Sequence, residues 1–377
     1  MKVVVTSQPG MGHLNGLLAL GRAMQAQGVE VWVAGAPSVV AHAARAGLRG
    51  TVVAPQPAGS DTPQNRALLA RAETPEARLA LLRSEVSIRH RARELLPGLS
   101  QFVADKRPDF IVRDSTELAG WVVAEAHGIP HVSFDVSAHW GVERWDESCG
   151  AAIRELRNAA GLSTGESPAS TLYEFLHISN CPPSLLSEGD RLPTKTLSVR
   201  PEFFEGDGTS WSPRWPLDEG HLYLAFGSVY LPPRAKYSRF VIECSKFRQT
   251  IAVVERPSMP SRHLLGARYI PQTPVMPGCG LVVCHGGRST VLTALKHGVP
   301  VLCLPSGSDH YNVSHAALRA GGGHVTSWGS PMKELLNGMR TAHSDAGLHA
   351  SAHKLAVEIG HMDDIEAGSD FLRSHFA

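Results

Sequence analysis

The sequence carries almost no net charge: 36 Lys and Arg stand against 35 Asp and Glu, a formal charge of +1. That balance gives no electrostatic reason to expect nucleic acid or an anionic membrane as the main partner. No stretch of about 18 apolar residues occurs, so no helix is expected to span a membrane. The six cysteines, Cys149, Cys181, Cys244, Cys279, Cys284 and Cys303, include no CxxC pair. They read as buried thiols in a reducing compartment, not as a disulfide framework or a zinc site. Met1-Lys2 leads only into Val3-Val4-Val5, a run too short for a signal-peptide core. Together these absences set the expectation of a soluble, cytoplasmic protein. Short-period repeats and low-complexity segments are also missing.

What is present is a chain of 377 residues, 43% apolar and 19% charged, with 26 Pro and 36 Gly. At roughly 100–200 residues per domain it suggests two or three domains, with many turns. Lys2 to Thr6 is a β-branched run of buried-strand type, Leu14 to Gln27 carries apolar residues at helical spacing, and Val29 to Ala34 is a second strand. That βαβ unit implies a parallel sheet with helices on its faces. Alternation continues with a helix at 38–46, a short strand at Val52-Val53-Ala54 and a long helical stretch over 64–106, broken by Pro75 and Pro97. A strand at Phe110–Arg113, a helix at Thr116–His127 and a strand at Ile129–Phe134 follow. Residues 161–220 are rich in Pro, Gly and Ser and read as the end of one domain plus a connection. Strand–helix alternation then restarts, with strands at Leu222–Phe226, Thr250–Val254, Ala267–Ile270, Leu281–Cys284 and Val299–Leu304. Two doubly wound α/β halves result, and ligands in such sheets bind beyond the carboxyl ends of the strands.

Three loops could carry chemistry. The first, Ser7-Gln8-Pro9-Gly10-Met11-Gly12-His13, continues to Gly16 as GxGxxxG, one residue too long for the dinucleotide fingerprint. The second strand ends at Ala34-Gly35-Ala36, where a dinucleotide enzyme places a ribose-binding acid. A nicotinamide site is therefore not expected, and His13, at the entry to the helix, is the residue of interest; a capping or packing role would also account for it. The second loop is His285-Gly286-Gly287-Arg288-Ser289-Thr290, between a strand and a helix. Glycines that admit a ligand to the backbone, a helix N-terminus, two hydroxyls and possible charge from His285 and Arg288 make a phosphate site. A helix cap explains Ser289 and Gly287 but not the flanking His and Arg. The GxxxxGK[ST] spacing of a Walker loop is absent. The third loop holds Asp309 and His310, free to bind hydroxyls, although capping alone would account for Asp309.

These residues carry a resemblance. The run His285-Gly286-Gly287-x-Ser289-Thr290, then Thr293-Ala294-Leu295-x-x-Gly298-Val299-Pro300, Asp309, Asn312 and Ala320-Gly321, resembles the donor-binding segment of family 1 glycosyltransferases. Gly12-His13 is similar to that family's acceptor-side motif, Tyr269-Ile270-Pro271-Gln272 to its aromatic-x-Pro-Gln segment, and Phe226-Gly227-Ser228 to the loop opening its second domain. The match covers nearly the whole chain, and its look is nearest to bacterial enzymes that decorate polyketide and other antibiotic aglycones, often with dTDP-deoxysugars.

The resemblance implies the GT-B fold: two Rossmann-like, doubly wound α/β domains facing a central cleft. On this reading an acceptor domain spans 1–205, a linker 206–217, a nucleotide-sugar domain 218–350, and a helical segment 351–377 that packs back on the first domain. The implied enzyme is an inverting hexosyltransferase in which His13 is the general base and Asp114 orients it. The diphosphate falls to Gly227, Ser228, His285, Gly286, Gly287, Arg288, Ser289 and Thr290, the base to Tyr269, Ile270 and Gln272, and the sugar to Asp309 and His310. The acceptor falls to Gly12, His139 and Trp140, and segments 55–100 and 135–180 shape its pocket. The co-substrate is a dTDP- or UDP-linked sugar, with no metal or other cofactor expected, no nucleic acid partner, and a monomer or homodimer. Ser289 stands where Gly is commoner, His310 where Gln is usual and Tyr269 where Trp is, and the stretch from Ser228 to Tyr269 is short. These departures bear on donor identity. A GT-B nucleotide-sugar epimerase and a catalytically impaired, sugar-nucleotide-binding accessory protein are the alternatives.

Overall fold

A computed structural model describes every residue except 60–61, 187–190, 207–211, 214, 228–229, 255–261 and 377. The chain divides into two compact units. The first holds Met1–Cys181, Ser187–Phe204 and Met362–Ala377, and the second Pro182–Leu186 and Glu205–His361.

The first unit is built on a parallel sheet of seven strands: β1 (Lys2–Thr6), β2 (Glu30–Gly35), β3 (Arg49–Val52), β4 (Phe110–Asp114), β5 (His131–Phe134), β6 (Leu176–Ser179) and β7 (Thr196–Ser198). Their order is β3-β2-β1-β4-β5-β6-β7. The chain runs outward from β1 to one edge, returns to β4 and runs to the other, so the winding reverses between β1 and β4. Both faces are covered. Val3 and Val5 join one core with Val31, Val33 and Val112, while Val4 joins the other with Ala34 and Ile111. Burial on both faces is why the strand sequence is a continuous apolar run and does not alternate.

The long helical stretch expected over 64–106 is divided differently. Pro75 opens a helix, Pro75–Leu81, capped by the Thr74 hydroxyl, which accepts from Ala77 N at 3.1 Å. Wide π-type turns follow over Leu82–Ala92, then the helix Arg93–Lys106, and Pro97 lies inside it without ending it. Burial of Leu95, Leu96, Leu99 and Val103 offsets the hydrogen bond that Pro97 cannot make.

The last helix, Ile365–His375, packs on the first, Met11–Ala26, in this same unit. Ile365 and Leu372 enter its core, Ser369 Oγ donates to Gln27 Oε1 at 2.6 Å, and Phe376 stacks on Phe110 with centroids 4.5 Å apart.

The second unit carries a parallel sheet of six strands: β8 (His221–Ala225), β9 (Thr250–Val253), β10 (Leu264–Ala267), β11 (Cys279–Cys284), β12 (Val301–Cys303) and β13 (Gly323–Val325), in the order β10-β9-β8-β11-β12-β13. Its core joins Leu222, Leu224, Leu281 and Val283 of the sheet to Phe240, Leu335 and Met339 of covering helices. The strand expected at Ala267–Ile270 lies at Leu264–Ala267 instead, which places Tyr269 and Ile270 in the loop beyond its carboxyl end. All six cysteines are buried thiols, none of them in a disulfide. Among the described residues no helix is long and apolar enough to cross a membrane.

Candidate active site

In the first unit, the loops after β1 and β4 meet where the winding reverses. Gly10, at φ 152°, turns the chain into the helix Met11–Ala26, and His13 falls in that helix's first turn. Asp114 ends β4 and is fully buried. His13 Nδ1 lies 2.7 Å from Asp114 Oδ2, while the His13 side chain remains 36% exposed. Thr116 donates to Asp114 Oδ1 from its backbone N at 2.7 Å and its hydroxyl at 2.8 Å, and Gln8 N donates to Oδ2 at 3.1 Å. Burial would raise the Asp114 carboxyl, but the charge and hydrogen bond of His13, with the two bonds from Thr116, outweigh it and hold the group below the usual carboxylate range. An ionised carboxylate only accepts, so when the imidazole is neutral Nδ1 is the protonated ring nitrogen and Nε2 carries the lone pair.

Thr116 is a site residue that the sequence reading misses. It assigns Thr116 to a helix start, whereas the helix begins at Ala119 and the Thr116 hydroxyl serves Asp114. The available signal was Asp114-Ser115-Thr116, a donor two residues past an acid at a strand end.

Beyond the carboxyl ends of β1, β2 and β3 lies a small open hollow. Its walls include Ser7, Gln8 and Pro9 of the loop that leads to His13, with Pro55, Arg91 and Glu94. Gly12 borders open space, since a Cβ there would meet nothing within 4 Å. His139 and Trp140 are not among the hollow's walls and are buried, 6% and 2% exposed. Trp140 meets Trp145 edge to face at 5.2 Å and carries the Arg83 guanidinium 3.8 Å over its ring.

The second unit gathers the other residues. After β11 comes His285-Gly286-Gly287, then the helix Arg288–Lys296, which no side chain caps. An uncapped helix start leaves its first-turn amides available to an anion. Gly286, at φ +83°, is confined: a Cβ there would stand 2.2 Å from Ser314 Oγ and 2.8 Å from the His310 carbonyl oxygen. Gly287 and Gly227 border the His285 ring, where a Cβ would come within 2.4 and 2.9 Å of Nε2. Ser228, expected beside Gly227, lies outside the described residues. His285 Nδ1 is 3.3 Å from the Ala225 carbonyl oxygen, and its ring meets His310 edge to face at 4.5 Å. Burial lowers the pKa of His285, and burial with the neighbouring His285 lowers that of His310. Both imidazoles are thus neutral near pH 7, which corrects the expectation that His285 adds positive charge; it offers ring-nitrogen hydrogen bonding instead.

Arg288 and Ser289 are half-buried in the first turn of that helix, and Thr290 is buried. Gln272 Nε2 donates to Thr290 Oγ1 at 3.1 Å, so the Tyr269-Ile270-Pro271-Gln272 segment is fastened to the phosphate-type loop. Ile270 is 2% exposed and Tyr269 half-buried. Asp309 occupies the cap position of the helix His310–Arg319 but makes no capping side-chain bond. The structure therefore groups His13 with Asp114, and His285 with Gly227, Gly286, Gly287 and His310. His139 groups instead with Tyr173 and His177.

Comparison with known proteins bears on these groupings. The erythromycin biosynthesis protein CIII-like N-terminal domain matches residues 22–215, and the C-terminal domain of that family matches residues 257–361. The L-demethylnoviosyl transferase of Streptomyces niveus is 27% identical over 86% of this chain and 84% of its own. TDP-daunosamine transferase DnrS of Streptomyces peucetius is 26% identical over 81% of this chain and 80% of its own. Among solved structures, Streptomyces sp. SF2575 glycosyltransferase SsfS6, complexed with thymidine diphosphate, superposes with a TM-score of 0.80 at 21% identity over 99% of each chain. The spinosyn rhamnosyltransferase SpnG, complexed with spinosyn aglycone, gives 0.78 at 23% identity over 99% of this chain and 100% of its own. The chain belongs to the erythromycin biosynthesis protein CIII-like family and is a natural-product glycosyltransferase of the GT-B fold.

Proposed function

We propose that this enzyme moves a deoxysugar from a thymidine diphosphate donor to a hydroxyl of a hydrophobic aglycone such as a polyketide, with inversion at the anomeric carbon. The observation that carries the reading is the 2.7 Å contact of His13 with a fully buried Asp114. His13 Nε2 takes the proton from the acceptor hydroxyl as its oxygen bonds to the anomeric carbon. The bond from that carbon to the phosphate oxygen breaks, and the nucleoside diphosphate leaves from the opposite face. Asp114 fixes the imidazole tautomer and stabilises the cation that forms. The first-turn amides of Arg288–Lys296 and the Arg288 guanidinium receive the diphosphate charge, and His285 donates to it from Nε2 once the bound anion has raised its pKa and both ring nitrogens carry protons. Tyr269 and Gln272 hold the base, and Asp309 and His310 the sugar. The acceptor enters over Gly12 and the hollow beside Ser7, and His139 and Trp140 are assigned to it by resemblance.

Support for the thymidine nucleotide comes from the daunosamine transferase and from the SsfS6 complex, and support for a large apolar acceptor from the spinosyn transferase. The retained His13–Asp114 contact favours turnover over an accessory role. The test is thermal denaturation with dTDP, UDP, GDP and NAD, for wild type and His285→Ala. At 100 times its dissociation constant a ligand stabilises the fold by about 2.7 kcal/mol. dTDP should give that shift in wild type and not in the variant, and an NMR assignment of the anomeric configuration of the product should show inversion. A response to NAD alone overturns the donor reading, and retained configuration overturns direct displacement.

A further inference from the structure

A polar layer in the first unit holds residues with no role at His13 or Asp114 in that chemistry, His139 being the one also assigned to the acceptor. On β5 and β6, Val132, Phe134, Leu176 and Ile178 enter one core. Strand alternation turns His131, Ser133 and His177 to the opposite face, where all three are fully buried. Asp135 follows β5, its N donates to Ile178 O at 2.9 Å, and Ser179 Oγ stands 3.4 Å from its Oδ2. His139, from the ensuing loop, brings its ring within 5.1 Å of the His177 ring. One donor atom from each of Asp135, His139 and His177 lies within 4.8 Å of the other two.

We propose that Asp135, His139 and His177 form a buried site for a zinc-type divalent cation that ties the 135–140 loop to β6. Two imidazoles and one carboxylate are a donor set that zinc and other first-row divalent ions accept. Three ligands about 2.1 Å from one ion sit roughly 3.4 Å apart, so the atoms close from at most 4.8 Å by no more than about 1.4 Å. Side-chain rotation supplies that. Each of the three residues is 6% exposed or less, so metal uptake is coupled to folding. With neutral imidazoles the cluster holds one negative charge. Arg83 and Arg113 both act electrostatically on the adjacent Tyr173, and their charge opposes a dication. Affinity should therefore fall below that of a closed four-ligand site. Arg83 also donates to Ser137 Oγ at 2.8 Å and to the Ala138 carbonyl at 3.1 Å, so ion and guanidinium would pin the same loop from two points. Of the three only His139 is shared with the acceptor assignment, and failure of the metal site would leave the roles of His13, Asp114 and the donor loops standing.

The test uses the full chain without an affinity tag, stripped with a chelator. Cobalt(II) is titrated as a coloured substitute for zinc, and zinc is then added. Visible absorption saturating at one cobalt per chain and erased by one zinc is expected in wild type. His139→Gln and His177→Gln, checked for folding by circular dichroism, should show neither the colour nor the rise in melting temperature with zinc. No cobalt colour in wild type overturns the proposal. So does colour retained in both variants, which places the ion on others of the 19 histidines. If a variant does not fold, X-ray absorption of the zinc-loaded wild type decides: two imidazoles and one carboxylate support the site, and any other ligand set overturns it.

Discussion

Asp114→Asn is the sharpest perturbation of the base. The asparagine oxygen can keep the place of Oδ1, where Thr116 donates at 2.7 and 2.8 Å. Its NH₂ then occupies the place of Oδ2, facing His13 Nδ1 at 2.7 Å and Gln8 N at 3.1 Å. Toward His13 it donates, so Nδ1 becomes the acceptor and the ring proton moves to Nε2, the atom that must receive the acceptor's proton. Loss of general-base catalysis costs roughly 10²–10⁴-fold in kcat, about 2.7–5.5 kcal/mol on the barrier. Toward Gln8 N it sets two donors against each other in a buried place, costing about 1–3 kcal/mol of fold stability. Because the Asp114 pKa is lowered in the folded protein, its stabilising contribution is present above the ordinary value of 3.8 and fades as pH falls through the folded value; the variant should lack that share. The tautomer can be read without any substrate. Two-bond proton–nitrogen NMR of the His13 ring should show the proton on Nδ1 in wild type and on Nε2 in Asp114→Asn. Turnover is followed by release of nucleoside diphosphate with a panel of aglycones. A wild-type proton on Nε2, or a variant within a few-fold of the wild-type rate, would refute the reasoning.

Gly286→Ala should abolish the thermal shift with dTDP and lower stability by several kcal/mol, because a Cβ at φ +83° would meet Ser314 Oγ at 2.2 Å and backbone at 2.8 Å; an unchanged shift on melting would sink the close-approach argument for this loop. Burial, with the charge of Arg113, holds His131 down at about 3 from an ordinary 6.5, so the folded protein keeps it neutral while the unfolded chain takes up a proton below 6.5. Stability should therefore fall as pH drops from 6.5 toward 3, by up to about 1.4 kcal/mol per pH unit from this residue. Urea unfolding of wild type and His131→Gln between those limits should show the variant's decline to be shallower by about one proton, and parallel curves would contradict it.

How much was legible in the sequence depended on whether the signal was local. The loops after β1 and β11 stand out because glycines interrupt strongly apolar strands, and the winding follows from strand–helix alternation. The His13–Asp114 contact joins residues 101 apart. No spacing rule reaches that far; only resemblance to a family suggested it. Thr116 was read as helix because alanines and valines follow it, yet its hydroxyl had a nearer use at Asp114. Pro97 was read as a break, because propensity cannot see that four buried aliphatic residues hold its helix on the sheet. Asp135, His139 and His177 form no motif at all, since His177 arrives on a neighbouring strand.

The packing of the last helix on the first has a consequence during synthesis. Gln27 bonds to Glu366 and Ser369, across sequence separations of 339 and 342. In chain order most of the second unit is an insertion within the first, which stays unfinished until the helix Ile365–His375 has been synthesised. At roughly 5–20 residues per second, the apolar flank beneath Ile365 and Leu372 waits tens of seconds for its cover. Deleting the helix Ile365–His375 would leave that flank open for the life of the molecule, so this helix should govern the yield of folded enzyme more than its turnover.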